Sequence, residues 1–112
     1  MPRRDVLLLA EMIDAAEQAI GIAAGAAVAE LTGDRLRRDA LLWNFTVLGE
    51  AAGQVSGELR AANPQVPWSA PTRLRNRIVH GYWSADIELL HTTARRDLPG
   101  TVDELRRIIA DL

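Results

Sequence analysis

The chain has 112 residues, 48% hydrophobic and 25% charged, with a formal net charge of −2; these values predict one globular domain over residues 1–112 and exclude a disordered chain. It has no cysteine, which excludes disulfide bonds and a thiolate metal site. Without a signal peptide or an apolar run of about 20 residues, we expect a cytoplasmic protein with no membrane partner.

The first half of the chain predicts two amphipathic helices. From Val6 onward, apolar residues recur at alternating steps of three and four, which predicts a helix from about Asp5 to Leu31. After a turn, Asp34 is placed to cap a second helix that runs to about Ala62. The second helix carries two apolar stripes: Leu36, Ala40, Trp43, Val47 and Ala51, then Leu41, Phe45, Leu48, Ala52, Val55 and Leu59. A helix with two apolar faces lies in the middle of a bundle or contacts a second subunit, and we expect both.

The second half predicts shorter helices separated by proline and glycine. Ser69 is placed to cap a third helix, which ends at Gly81, a residue suited to the left-handed stop after a helix. Ser84 is placed to cap a fourth helix. Pro99 then kinks or restarts the chain before a last helix over Thr101–Asp111. The expected fold is therefore an all-α bundle of four or five helices.

The stretch RNRIVHGYW, Arg75 to Trp83, concentrates the polar chemistry of the chain. Arg75 and His80 would point about 140° apart on an ideal helix, so they converge poorly unless the side chains are long, as the arginine is. Asn76 lies four residues before His80, on the same face, and is placed to hold its imidazole. An arginine that holds a phosphate and a histidine at a helix end suit attack of a ribose 2′-hydroxyl on the adjacent phosphodiester. That reaction needs a base, an acid and charge stabilisation, but no metal.

One histidine per chain is too few for both a base and an acid. A two-fold dimer would supply a second copy, which favours a site at a dimer interface formed by the apolar second helix. Spacing alone also fits a solvated Arg75 and a His80 that only caps its helix. His91 lies among leucines and is interpreted as structural or exposed. Because two histidines without clustered acids make a poor metal site, we expect no metal and no other cofactor.

Several landmarks occur in a fixed order between Ala40 and Pro99. They are Gly49-Glu50-Ala51, Pro64, Pro67-Trp68, the full pattern R-N-x-x-x-H-x-Y, and Asp97-Leu98-Pro99. In this order the chain resembles the HepT-like branch of the HEPN superfamily. These are small all-α proteins, the toxins of bacterial toxin–antitoxin pairs of type VII, whose antitoxin is a minimal nucleotidyltransferase.

The resemblance implies a homodimeric, metal-independent endoribonuclease that cleaves tRNA or mRNA. Carried over residue by residue, Arg75 and His80 are the catalytic pair and Asn76 is the polar residue after the arginine. The tyrosine to which the nucleotidyltransferase partner transfers AMP, silencing the toxin, falls on Tyr82. Such a group would put negative charge and bulk where an RNA phosphate must sit.

Other residues near the motif keep two interpretations. Glu50 either pairs with Arg75 or Arg77 and holds a guanidinium, or bridges the dimer; Arg77 is expected to support the catalytic pair. Trp68 and Trp83 either stack an RNA base or pack in the core or in a lid. The alternative function is a non-catalytic HEPN binding module that presents a substrate or nucleotide to the nucleotidyltransferase.

Overall fold

The computed structural model describes residues 3–112, which contain helices and no strand. Its seven helices over these residues are α1 (Arg3–Gly25), α2 (Val28–Gly33), α3 (Arg35–Gln54), α4 (Gly57–Ala62), α5 (Ser69–His80), α6 (Ile87–Arg96) and α7 (Leu98–Ala110). A 3-10 turn, Tyr82–Ser84, joins α5 to α6. The predicted all-α class is confirmed, whereas the number of helices is larger than the four or five expected. Within the described range, no helix has the length and apolar character needed to span a membrane.

Each of the two long helices expected from the sequence is broken once. The first ends at Gly25, and Ala27 is extended before α2, where its N–H donates to the Glu30 carboxylate at 3.1 Å. The second breaks between α3 and α4, where Ser56 caps the new helix by accepting from the N–H of Leu59 at 3.2 Å. Both breaks were missed because the apolar spacing continues across them, so a change of helix direction leaves the periodic pattern intact.

Helix α5 begins and ends differently from the expectation. Ser69 is its first residue rather than its cap. Gly81 ends it with φ at −154°, so the expected left-handed stop is wrong. A Cβ at Gly81 would lie 2.9 Å from Ser84 Oγ, and that hydroxyl donates to the Gly81 carbonyl at 3.0 Å. The glycine therefore makes room for the serine of the turn that follows.

The starts of α6 and α7 also differ from the expectation. Asp86, rather than Ser84, caps α6, because its carboxylate accepts from the N–H of Leu89 at 3.0 Å. Helix α7 begins at Leu98, and Pro99 lies within its first turn. A proline at this position removes no hydrogen bond of the helix, because the first N–H groups of a helix have no acceptor inside the helix. Pro99 therefore starts the last helix instead of preceding it.

Helices α1 and α3 pack along each other at the centre of the bundle. Helices α6 and α7 cover α1, and α5 packs mainly on α3. The largest fully buried side chains are Phe45, Leu9, Met12, Leu31, Leu41, Leu48, Leu105 and Val55. Of the two apolar stripes on α3, the stripe with Phe45 is buried, whereas Leu36 and Trp43 of the other are 86% and 65% exposed. Helix α3 is thus central, and its second apolar stripe is covered at Ala51 but uncovered in the protomer at Leu36 and Trp43.

A buried carboxylate joins the start of α1 to the cap of α4. Asp5 is 2% exposed. One of its oxygens accepts from the Ser56 N–H at 2.9 Å and the other from the Ser56 hydroxyl at 2.6 Å. Two hydrogen bonds to one residue, 51 positions away in sequence, fix where α3 ends and α4 begins.

Asp5→Ala is expected to lower the free energy of unfolding by about 1–3 kcal/mol, because both Ser56 donors lose their acceptor. Urea unfolding followed by circular dichroism measures the change. Asp14→Ala, at an exposed position of the same helix, is the control and should shift stability by less than about 0.5 kcal/mol. Equal shifts in the two variants would contradict the role given to Asp5.

Candidate functional site

The helix that carries the R-N-x-x-x-H-x-Y motif lies very close to α3. Gly49 of α3 is buried, and a Cβ built on it would come closer than 3.0 Å to both Arg75 Cβ and the Pro71 carbonyl oxygen. The Thr72 hydroxyl donates to the Gly49 carbonyl at 3.2 Å in the same contact. The absence of a side chain at position 49 therefore sets the separation of the two helices and the height of Arg75 above α3.

Arg75 is held by two neighbours. Its Nε lies 3.4 Å from the Glu50 carboxylate, an ion pair without hydrogen-bond geometry, and its Nη1 donates to the Asn76 side-chain oxygen at 3.0 Å. Of the two interpretations of Glu50, pairing with Arg75 is the contact that exists within the protomer. The Asn76 side chain is hydrogen-bonded to Arg75 rather than to the His80 imidazole, because the arginine side chain lies within hydrogen-bond distance of it. Together Glu50 and Asn76 orient the guanidinium along α3.

His80 is exposed at the end of α5. With Arg77 it lines a cavity of 260 Å³ between α5, the 3-10 turn and α6. Arg75 lines a different cavity, of 310 Å³, with Trp43 and Glu50 of α3. One protomer therefore does not bring Arg75 and His80 to a common cavity, as the 140° separation on an ideal helix indicates. Arg77 is the arginine that shares a cavity with the histidine.

Tyr82 contacts a residue that the sequence analysis did not single out. Its hydroxyl donates a short hydrogen bond to the carboxylate of Asp39, on α3. Arg35 Nε lies 3.3 Å from one oxygen of Asp39 and Arg38 Nε 3.7 Å from the other. The Tyr82 hydroxyl first, and then the two guanidinium groups, lower the pKa of Asp39 below its usual value. Asp39, ionised at neutral pH like an ordinary aspartate, accepts a charge-assisted hydrogen bond from the tyrosine.

Trp68, Trp83 and His91 differ in how far they are buried. Trp68 is buried, and its indole Nε1 donates to the Asn63 carbonyl at 2.9 Å, which agrees with the packing interpretation. Trp83 is 86% exposed on the 3-10 turn, so core packing is wrong for it. His91 is partly buried, and its Nε2 lies 2.9 Å from the Ala26 carbonyl where α1 ends. His91 therefore has a structural contact, and Trp83 is open to solvent.

Two residues of the motif, Arg75 and Tyr82, lie on one surface with the exposed positions of the second stripe of α3. Tyr82 contacts Asp39 near the start of α3 and Arg75 contacts Glu50 in its second half, so α5 runs antiparallel to α3. Between these contacts lie the exposed Trp43 and, on α5, the exposed Val79. We call this surface the motif face; its residues are Leu36, Asp39, Trp43, Glu50, Arg75, Val79 and Tyr82. It combines apolar, cationic and nucleophilic side chains.

Over residues 3–112, no three His, Asp or Glu side chains cluster as metal ligands would.

Comparison with known proteins gives consistent matches. A family model described as HepT-like ribonuclease matches residues 12–110. A protein of Thermococcus cleftensis named "Probable ribonuclease HepT" is 26% identical over 77 residues, covering 66% of this chain and 70% of that protein. Two Methanocaldococcus jannaschii proteins named as candidate RNases are 26% and 28% identical; the alignments cover 100% and 88% of this chain and 93% and 92% of those proteins. No solved structure matches the chain.

Proposed function

Because the chain belongs to the HepT-like ribonuclease family, we propose that it is a metal-independent endoribonuclease whose site combines Arg75 and His80 from two protomers. The observation that carries the proposal is the intact motif on α5, with its arginine held by Glu50 and Asn76. The relatives named as ribonucleases support the same type of activity. The substrate class is tRNA or mRNA, cleaved in the cytoplasm.

The chemistry follows from the groups on the motif. His80 of one protomer removes the proton of a ribose 2′-hydroxyl, whose oxygen attacks the adjacent phosphorus. The second histidine protonates the departing 5′-oxygen, which leaves a 2′,3′-cyclic phosphate on the other product. Arg75 stabilises the negative charge that develops on the phosphorane oxygens. Arg77, which shares the histidine cavity, holds a neighbouring phosphate.

The motif face gives a physical reason for a homodimer. Leu36, Trp43 and Val79 are large apolar side chains left exposed in the protomer, and clusters of this kind mark interaction surfaces. A two-fold axis through the motif face would bury these side chains against their own copies. The same axis would bring the second histidine and second arginine toward the first pair, which a single protomer keeps in separate cavities.

Regulation by a partner is the second part of the proposal. A minimal nucleotidyltransferase antitoxin transfers AMP to the Tyr82 hydroxyl, which makes the chain the toxin of a type VII toxin–antitoxin pair. Tyr82 is exposed, and it lies two residues from His80. A phosphodiester there carries negative charge into the region that an RNA phosphate must enter, so repulsion and bulk both oppose substrate binding.

The test is cleavage of total RNA by the purified protein in the presence of EDTA. We expect fragments that end in 2′,3′-cyclic phosphate, because the ribose 2′-oxygen is the nucleophile and no metal takes part. An RNA of the same sequence with 2′-O-methyl groups is the control and should stay intact. Cleavage that stops with EDTA, or that also cuts the methylated RNA, would contradict the mechanism.

A non-catalytic binding module is the second candidate, and one observation favours it: Arg75 and His80 line different cavities in the protomer. Such a module would present Tyr82 or a nucleotide to the nucleotidyltransferase without cutting RNA. Expression of the chain alone separates the two functions. A ribonuclease toxin arrests growth and depletes RNA, whereas a binding module leaves growth and RNA unchanged.

A further inference from the structure

The turn after His80 is attached to the rest of the protein mainly through one side chain. Over the described residues 81–85, every other hydrogen bond stays within the segment or reaches back only to Ile78. Trp83 is exposed, and Ala85 packs on the core only in part. The hydrogen bond from the Tyr82 hydroxyl to Asp39 therefore joins this turn to α3 across 43 residues of sequence.

We propose that Asp39 is a positioning residue for the ribonuclease site, and that AMP transfer to Tyr82 breaks the contact through which it acts. By accepting the hydrogen bond that the Tyr82 hydroxyl donates, Asp39 fixes the position of the turn. The position of the turn in turn fixes the C-terminal end of α5, where His80 lies. This inference rests on the proposed function, because it assigns a role in the same site. It adds a residue that lies outside the R-N-x-x-x-H-x-Y motif.

The hydrogen bond and the modification exclude each other chemically. In AMP transfer from ATP, the Tyr82 oxygen forms a bond to the α-phosphorus, pyrophosphate leaves, and the phenolic proton passes to solvent. The oxygen then has no hydrogen to donate. The new phosphodiester also carries a negative charge, which the Asp39 carboxylate repels at this distance. Modification therefore removes the attraction between the turn and α3 and replaces it with repulsion.

Two arginines make Asp39 suited to this role. Arg35 and Arg38 lie beside its two oxygens and hold the carboxylate in place facing Tyr82.

The experiment is a double-mutant cycle on cleavage rate with Asp39→Ala and Tyr82→Phe. Each single variant is expected to lower kcat about tenfold, the factor for loss of one hydrogen bond, with KM nearly unchanged. The double variant should be no slower than either single variant, because both remove the same contact. Asp39→Asn, which keeps an acceptor oxygen, should recover most of the rate. Asp103→Ala, exposed on α7, is the control and should cleave like wild type.

Hydrogen exchange provides a readout that does not depend on cleavage. Amides of residues 81–86 should exchange faster in Asp39→Ala, in Tyr82→Phe and in AMP-modified protein, whereas amides of α1 should not change. Multiplicative losses of kcat in the double variant, or unchanged exchange in Asp39→Ala, would overturn the role of Asp39. If the wild type cleaves no RNA, the proposed function fails, and the exchange data still decide whether Asp39 holds the turn.

Discussion

Arg75→Ala and His80→Ala are each expected to cleave RNA at less than about 1% of the wild-type rate, the loss typical of a deleted acid–base or charge-stabilising group. An equimolar mixture of wild type and His80→Ala should cleave at about one quarter of the rate of the same total amount of wild type, because random exchange makes about one quarter of the dimers fully wild type. Mixed dimers keep one histidine, which is too few for both the base and the acid. If each protomer acted alone, the mixture would keep about half of the rate.

In the proposed dimer, Trp43 would lie at the interface, because it is exposed on the motif face of the protomer. Trp43→Asp should place a charge in that interface and prevent assembly, and cleavage should be lost with it. Sedimentation at micromolar concentration should give a dimer for the wild type and a monomer for Trp43→Asp. A mixture that exchanges chains and keeps about half of the wild-type rate would contradict a site that needs both histidines, as would a fully active His80→Ala.

Gly49→Ala is expected to destabilise the fold by about 1–3 kcal/mol and to reduce cleavage more than tenfold. Its methyl group would lie closer than 3.0 Å to the Pro71 carbonyl oxygen, a backbone atom that cannot rotate away. Helix α5 must then move off α3 and take Arg75 with it. Alanine otherwise favours a helix by about 1 kcal/mol over glycine, so a net loss would show that the steric cost is larger.

Gly53→Ala is the matched control for the close contact. It lies one turn further along α3, where a Cβ would be 3.5 Å from Thr72 Oγ1, an ordinary van der Waals distance. We expect Gly53→Ala to stabilise the protein by up to about 1 kcal/mol and to leave cleavage unchanged. Urea unfolding and the cleavage assay measure both variants. Equal tolerance at the two glycines would contradict the close helix contact as the feature that positions Arg75.

The helical class followed from the sequence because apolar spacing depends on local geometry. The ends of the helices were predicted less accurately, because they depend on which polar side chain accepts a hydrogen bond from a free N–H of the first turn. Asp34 was correctly identified as the cap of α3. Ser84 was expected to cap α6, whereas Asp86 does; both residue types cap helices, and only the backbone path decides between them.

For the candidate site, the motif could be predicted from the sequence, but the residues that contact it could not. The spacing of Arg75 and His80 correctly indicated that they diverge within one protomer. Asp39 gave no signal, because R-x-x-R-D on a helix reads as an ordinary solvated face and Tyr82 is 43 residues away. The contact of Glu50 with Arg75 was one of two open interpretations, since pairing across helices depends on their register.

The three tryptophans lie in three different environments: Trp68 in the core, Trp43 on the motif face and Trp83 on the turn after His80. Indole emission shifts to shorter wavelength when the ring loses contact with water, and a stacked purine quenches it. The emission of Trp68 would therefore report unfolding, and that of Trp43 would report burial of the motif face. The emission of Trp83 would report binding of a nucleotide or RNA base at the turn. Single-tryptophan versions would let each of these be followed in solution without an added label.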